Sequence, residues 1–523
     1  MMKKLLPILA ALLVCCCGKT PDDGGNGTQT PVAPSVITLS SSSLDAGVDG
    51  GSFDITIKAP ARPKAGTLPS WIKYSDGIFK DYSITVTLKV ESNTAYEPRS
   101  AEIEFSCSGA SPVRLTVTQA AREVVKDPSL PQNGAVALSE ALGLGWNMGN
   151  HFDAYYNGSW AGAKEGYPDE EVWGGTKATQ ATFDGVRRAG FTSVRIPVSW
   201  LKMIGDAPDY TIDETWMNRV YEVVQYAHNA GLYVIINTHH DENHGVDNTY
   251  QWQDIKAAVA SEERNQAIKA EITAVWTQIA GKFKDCGDWL IMEGFNEIND
   301  GEWGWSADFR ADPTRQCNIL NQWNQTFVDA VRATGGNNAT RWLGVPTYAA
   351  NPDFVQYFAM PQDSAGKLMI SVHFYNPSSY TIGKEQYQQW GHTGAAGKKD
   401  GYGEEEVKAC FNNLFTNYVA KDIPVYIGEF GCSMRSKSDT VGYAFFLYYL
   451  EYVAKAAKVF GMPSFLWDNG SQGVGQEKHG YINHGTGEIG PNADEAIAAL
   501  MRARFNTDQN YTLESVYNSA PQF

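Results

Sequence analysis

From Leu142 onward the sequence repeats one pattern: a short apolar run of strand length followed by a stretch with helical periodicity. The runs fall at residues 143–148, 193–198, 233–238, 290–296, 342–347, 368–375, 425–430 and 464–467. Periodicity predicts helices between them at 176–189, 213–230, 260–283, 315–334 and 440–460. Apolar runs suit strands buried on both faces, and their alternation with helices makes them parallel neighbours. Eight such units in ~370 residues predict an α/β fold, a (β/α)8 TIM barrel, whose active site lies at the C-terminal ends of its strands.

Those ends carry Asn147, Arg195, His239 with His240, Asn296 with Glu297, His373 with Tyr375, Glu429, and Trp467. A lone strand-end carboxylate is more often a salt bridge or helix cap than a catalyst, but seven polar or aromatic ends around one barrel mouth favour a site. The fourth and seventh strands lie on opposing sides of that mouth, so Glu297 and Glu429 can flank a bound bond from both faces. For sugar chemistry, a carboxylate separation near ~5 Å means retention through a covalent intermediate, and one of about 6.5–9.5 Å means inversion. The run His239-His240-Asp241-Glu242-Asn243-His244 raises a metal centre as a rival. Such a centre needs further ligands and no glutamate pair, and His239 is sufficiently explained as a hydrogen-bond donor, so no metal and no cofactor are expected.

The charge balance is 42 basic against 59 acidic residues, net −17, which disfavours nucleic acid because that affinity rests on phosphate neutralisation. The 15 Trp and 26 Tyr suit flat amphipathic ligands such as sugar rings. Aromatic residues cluster after the strands: Tyr155, Tyr156, Trp160 and Trp173 after the first, Trp252 after the third, Trp303 and Trp305 after the fourth. The chain start differs. Residues 1–16 read as a signal peptide, with Lys3 and Lys4 before an apolar run, and residues 17–34 as a Gly/Pro-rich tether. Residues 35–121 alternate with period two and predict a small β-sandwich; 122–139 is a linker and 140–523 the barrel domain. The five cysteines beyond Cys17 show no metal or disulfide spacing and are expected to be free thiols.

Several motifs carry resemblances. Leu13-Val14-Cys15-Cys16 resembles the lipobox of bacterial lipoproteins, which implies lipidation at Cys16, with Cys15 and Cys17 as alternatives. The acidic stretch after it resembles the export signal of Bacteroidetes surface lipoproteins, implying an outer-membrane, cell-surface location and neighbours among other surface glycan-uptake proteins. Ser70-Trp71-Ile72, Arg99-Ser100-Ala101 and Val117-Thr118-Gln119 resemble the BACON domain, a glycan binder or an inert spacer. Gly145-Trp146-Asn147-Met148-Gly149-Asn150, Val194-Arg195-Ile196-Pro197, Thr238-His239-His240-Asp241, Phe295-Asn296-Glu297, Val372-His373-Phe374-Tyr375, Gly428-Glu429-Phe430-Gly431 and Leu466-Trp467-Asp468 resemble glycoside hydrolase family 5, most of all its subfamily 4.

This resemblance implies a retaining endo-acting hydrolase of plant cell-wall β-1,4-glucan, with Glu297 as acid/base and Glu429 as nucleophile. Asn147, Trp173, Arg195, His239, His240, Asn296, His373, Tyr375 and Trp467 are the expected substrate contacts. Xyloglucan is the favoured substrate, with mixed-linkage glucan and cellulose as alternatives, and a catalytically inactive surface glycan-binding protein is the non-enzymatic rival. Ile298, where the family usually has Pro, and His151 depart from the pattern. Glu297 is expected to have a raised pKa from burial and from Glu429, while Arg195 keeps Glu429 ionised.

Overall fold

The period-two segments near the chain start pair into two four-stranded sheets. In the computed structural model the described residues are 32–48, 50–93, 98–120, 130–157, 165–243, 250–383, 388–395 and 403–523. The expected signal, Cys15, Cys16 and Cys17, Trp160 and His244 lie outside them. The chain divides into two units at Ala120.

In the first unit Gly51–Lys58 runs antiparallel to Ser83–Val90, which also pairs with Ile72–Asp76. The second sheet is built on the antiparallel pair Arg99–Cys107 and Ala110–Gln119. Alternate residues turn inward, so Ile55, Ile57, Ile84, Val86, Leu88, Ile103, Phe105, Leu115 and Val117 form one core. The three motif segments meet: the Arg99 guanidinium lies 4.4 Å from the centre of the Trp71 ring and donates to Gln119 Oε1 at 2.8 Å. These motif residues are engaged in tying the two sheets together.

The second unit is a closed parallel barrel. Its strands are β1 Leu144–Asn147, β2 Ser193–Ile196, β3 Tyr233–Ile236, β4 Leu290–Glu293, β5 Leu343–Pro346, β6 Leu368–Phe374, β7 Val425–Phe430 and β8 Ser464–Leu466, with β8 pairing back to β1. Most end earlier than the apolar runs predicted, which leaves Asn296, Glu297, Tyr375 and Trp467 just beyond the last ladder bonds. Helix starts follow local chemistry. Pro313 opens the helix Pro313–Ala333, two residues ahead of the expected start, with Asp312 as its cap. Thr179 caps Gln180–Arg188 reciprocally with Thr182. Helices Glu404–Asn417 and Asp494–Phe505 were not foreseen.

The barrel interior is layered. Ile235, Ile291, Met369, Tyr426 and Phe465 form an apolar floor. Two residues further along the same strands, the period-two alternation puts Asn237, Glu293, Ser371 and Gly428 inward, and on β1 and β2 it puts Asn147 and Arg195 at this level. This second layer is polar and buried. Strict alternation would then turn Glu429 outward. A register shift prevents it: Val372 pairs with Ile427 but His373 pairs with Glu429, so Gly428 is an extra residue that re-aims the glutamate into the mouth. A side chain at Gly428 would press on His373 Nε2 and Ser371 Oγ, both 3.1 Å from where its Cβ would stand.

Candidate active site

Arg195 is the hub of the polar layer and has no exposed surface. Its Nε donates to Glu293 Oε2 at 2.7 Å, Nη1 to Glu429 Oε1 at 2.7 Å and Asn147 Oδ1 at 3.0 Å, and Nη2 to Asn296 Oδ1 at 2.8 Å. Glu293 also accepts from Ser371 Oγ at 2.6 Å, Tyr426 OH at 2.9 Å and Asn237 Nδ2 at 3.2 Å. A buried charge is tolerable only when paired and hydrogen-bonded, and here two bonds of the guanidinium also orient Glu429 and Asn296 at the mouth.

Above this layer the two expected carboxylates converge. Tyr375 OH donates to Glu429 Oε2 at 3.0 Å, and His373 Nδ1 lies 2.6 Å from Glu297 Oε1 and 3.7 Å from Glu429 Oε2. One carboxylate oxygen of each glutamate and a His373 nitrogen all lie within 4.8 Å of one another. Glu429 is the more enclosed, with 7% of its side chain exposed against 24% for Glu297. Trp467 stacks parallel to His239, with ring centres 6.0 Å apart, and offers a partly open face beside the pair.

The directions of the carboxyl pKa values correct the expectation. Burial is the largest influence on both and raises both, but at Glu297 the His373 contact, the Trp303 indole N–H and the Arg195 charge together outweigh it and hold the carboxyl below the ordinary range. At Glu429 burial prevails over His373 and Arg195, and the carboxyl is raised. Burial works against a charged His373, yet Glu429 and Glu297 raise its pKa. Glu297 and His373 are thus tied by one short hydrogen bond, through which a proton can be shared. The expectation neglected His373 because sequence spacing does not reveal a 2.6 Å contact between strands four and six.

Asn147, expected at the substrate, is buried below the mouth, and its amide is spent on Arg195 and the Gly428 carbonyl at 2.9 Å. It orients Arg195. His239 is held neutral by burial, and since Asn237 Nδ2 donates to its Nδ1 at 3.2 Å, its Nε2–H is the available donor. Burial opposes protonation of His240, but Glu242 and Asp153 outweigh it and raise its pKa to about 9. Asp153, His239 and His240 present one ligand atom each within 4.8 Å. Trp173 stands at the rim, 5.5 Å from Tyr155 and 5.8 Å from His240 between ring centres. Sequence reasoning missed Glu293 and Asn237 as site residues. A glutamate inside an apolar strand run was the available signal for Glu293.

The loop bearing Trp173 is anchored by Glu170, which bonds His151 Nε2 at 3.0 Å, Arg219 at 2.6 Å and the Ala178 N–H at 3.0 Å. The unusual His151 thus serves loop anchoring, and Ile298 is simply core. Burial would raise the Glu170 pKa, but these donors bring it down to about 2. The folded value lies below the unfolded one, so the stabilisation is complete above about pH 4.5 and fades as pH falls toward 2. Glu170→Gln should cost about 2 kcal/mol at pH 7, after allowance for solvent screening, and progressively less below pH 4. Urea denaturation across that range checks it; a pH-independent loss would contradict the assigned cause.

A closed barrel with two opposed carboxylates, a buried arginine and a flat aromatic at its mouth defines a glycoside hydrolase site. The Cellulase (glycosyl hydrolase family 5) profile matches residues 152–473 and the BACON profile matches residues 64–120. The chain belongs to glycosyl hydrolase family 5 and carries an N-terminal BACON domain. It is similar to a solved Bacteroidetes-affiliated family 5 cellulase linked with a polysaccharide utilization locus, at 44% identity and TM-score 0.70, covering 75% of this chain and 98% of that one. A broad specificity endoglucanase from Bacteroides salanitronis shares 49% identity with TM-score 0.67, covering 74% of this chain and 99% of that one. A xyloglucan-specific endo-β-1,4-glucanase of Bacteroides ovatus is 32% identical over 485 residues, 88% of this chain and 89% of the relative.

Proposed function

We propose that this family 5 endoglucanase is a retaining hydrolase of β-1,4-glucan backbones, with Glu429 as nucleophile and Glu297 as acid/base. The observation that carries it is the approach of one oxygen of each carboxylate to within 4.8 Å across the mouth, in keeping with the closer spacing, about 5–5.5 Å between carboxyl groups, that retaining enzymes use. Glu429 attacks the anomeric carbon while Glu297, fed by its proton-sharing contact with His373, protonates the departing oxygen. The products are a glycosyl ester on Glu429 and a shortened chain. Glu297, now ionised, takes a proton from water, which attacks the ester from the leaving-group side. Two inversions give net retention. Arg195 and Tyr375 donate to Glu429, and Asn296 donates its amide to the sugar 2-OH.

The resting pKa directions favour the opposite roles. The assignment rests instead on the contacts: Glu429 faces a permanent cation and a phenol kept protonated by burial, the surroundings of a nucleophile.

Xyloglucan is the proposed preferred substrate. Trp303 and Trp305, 46% and 72% exposed, and half-buried Trp173 line an open rim suited to a branched backbone, and the relative matched over both units is named for xyloglucan. Initial rates on xyloglucan, mixed-linkage β-glucan, carboxymethyl-cellulose, glucomannan and xylan test this. The expected order puts xyloglucan first in kcat/KM; unbranched glucans ahead would give the broad specificity reading instead, and mannan or xylan ahead would end the glucan assignment.

We further propose that Cys16 anchors the protein by lipid on the outer face of the cell, with the BACON unit as a spacer. Stable anchoring takes more than one acyl chain. Replacing Cys15, Cys16 and Cys17 together by Ala should release the protein to a soluble fraction, and retention on membranes would contradict the anchor.

A further inference from the structure

The loop after β4 holds a strained tryptophan against the acid/base glutamate. Asn299 Oδ1 accepts from the Gly301 N–H at 2.7 Å and the Trp303 N–H at 3.3 Å, while its amide donates to the Glu297 carbonyl at 2.6 Å. Asp300 accepts from Ser306 Oγ at 2.5 Å and Gln316 Nε2 at 3.0 Å, and its N–H donates to Tyr348 OH at 3.0 Å. On the far side Gly304 has φ +89°, and a Cβ there would stand 2.3 Å from the Phe354 ring. Between these anchors Trp303 adopts φ 46°, a backbone region that bulky residues occupy only when the surroundings over-determine it.

The strained geometry has one visible product. The Trp303 indole Nε1 lies 3.2 Å from Glu297 Oε2, the oxygen that His373 does not hold. Each oxygen of the carboxyl therefore has one donor, and the two together fix its plane. We propose that Trp303 is a positioning residue for Glu297, aiming its carboxyl at the glycosidic oxygen and tuning its acidity through the indole N–H. The inference rests on the acid/base reading of Glu297. The charged and titratable groups facing that carboxyl are Arg195 from β2, His373 and Tyr375 from β6 and its end, and Glu429 from β7.

The sign follows from which form is stabilised. An N–H donor favours the ionised carboxylate, so removing it raises the proton affinity of Glu297. Glycosyl transfer needs Glu297 protonated, so the basic limb of the kcat/KM profile moves to higher pH. Trp303→Phe keeps the ring and removes the N–H. On polysaccharide its basic limb should rise by about half to one pH unit, and its loss of kcat/KM should exceed by about tenfold the loss of kcat/KM on an aryl β-cellobioside, whose leaving group needs no proton. A basic limb that stays in place, or equal losses on both substrates, would overturn the inference. The unaltered enzyme labelled with 15N-tryptophan gives a second readout: one indole N–H resonance should titrate with the midpoint of the basic limb and stop titrating in Glu297→Gln. If no indole titrates, the inference falls. Glu297→Ala separates this from its premise. It should keep glycosyl transfer from the aryl substrate while losing the polysaccharide, and loss of both would remove the acid/base role itself.

Discussion

Replacing Glu429 by Gly should lower turnover by roughly four or more orders of magnitude while leaving the barrel folded, since a nucleophile is lost and a small void is made at a partly solvated position. Glu297→Gln should cost about 10²- to 10⁴-fold, the usual worth of a general acid. Small anions discriminate the two roles. In the Glu429→Gly variant azide enters the vacated space below the sugar, attacks the anomeric carbon once, and should restore turnover with a product of inverted configuration. In a Glu297→Ala variant azide should instead attack the glycosyl ester and give a retained product. Inverted product from the Glu297 variant would exchange the assignments, in the sense the resting pKa directions suggest. Product configuration read by NMR decides between them.

The second large effect concerns Arg195. Its Nε and Nη1 are bound to two carboxylates, Glu293 and Glu429, inside a layer with no solvent contact for the guanidinium. Arg195→Met leaves both carboxyls facing each other without a cation. Breaking one side of a buried pair costs about 3–5 kcal/mol, far more than the pair itself contributes over an apolar replacement. The variant should therefore show a large fall in denaturation midpoint together with near-complete loss of activity. Adding Glu293→Gln removes one uncompensated charge and should recover part of the stability but none of the activity, because Glu429 and Asn296 still lack the donor that orients them. Chemical denaturation of the single and double variants measures this. Stability unchanged in the single variant would mean the layer is hydrated and the pairing unimportant; activity returning with stability would mean Arg195 acts on the fold alone.

The barrel was legible because eight apolar runs of strand length carry a periodicity that only buried parallel strands need. The two glutamates were legible because each closes such a run. What lay beyond the sequence was set by register and by contacts between strands. Glu429 faces the mouth because Gly428 is an extra residue in β7, and alternation alone turns it outward. Asn147 sits at a strand end yet one layer too deep to meet a sugar, a difference of one alternation. Glu293 read as part of an apolar strand although it is the second carboxylate on Arg195. The direction of the Glu297 pKa depended on His373 approaching from a strand 76 residues away in sequence. Trp303 was visible as an aromatic after the fourth strand, but its bond to Glu297 follows from a left-handed turn that composition does not announce.

The stereochemical outcome of hydrolysis tests the proposed mechanism most directly, because it reports how the two carboxylates divide the work without altering either. Proton NMR of a β-1,4-linked oligosaccharide during its first minutes of cleavage resolves the anomeric signals before mutarotation mixes them. Two displacements at a pair of carboxylates whose facing oxygens lie within 4.8 Å predict that the β-anomer appears first and the α-anomer grows in later; an α-anomer formed first would mean a single displacement by water and contradict the nucleophilic role of Glu429.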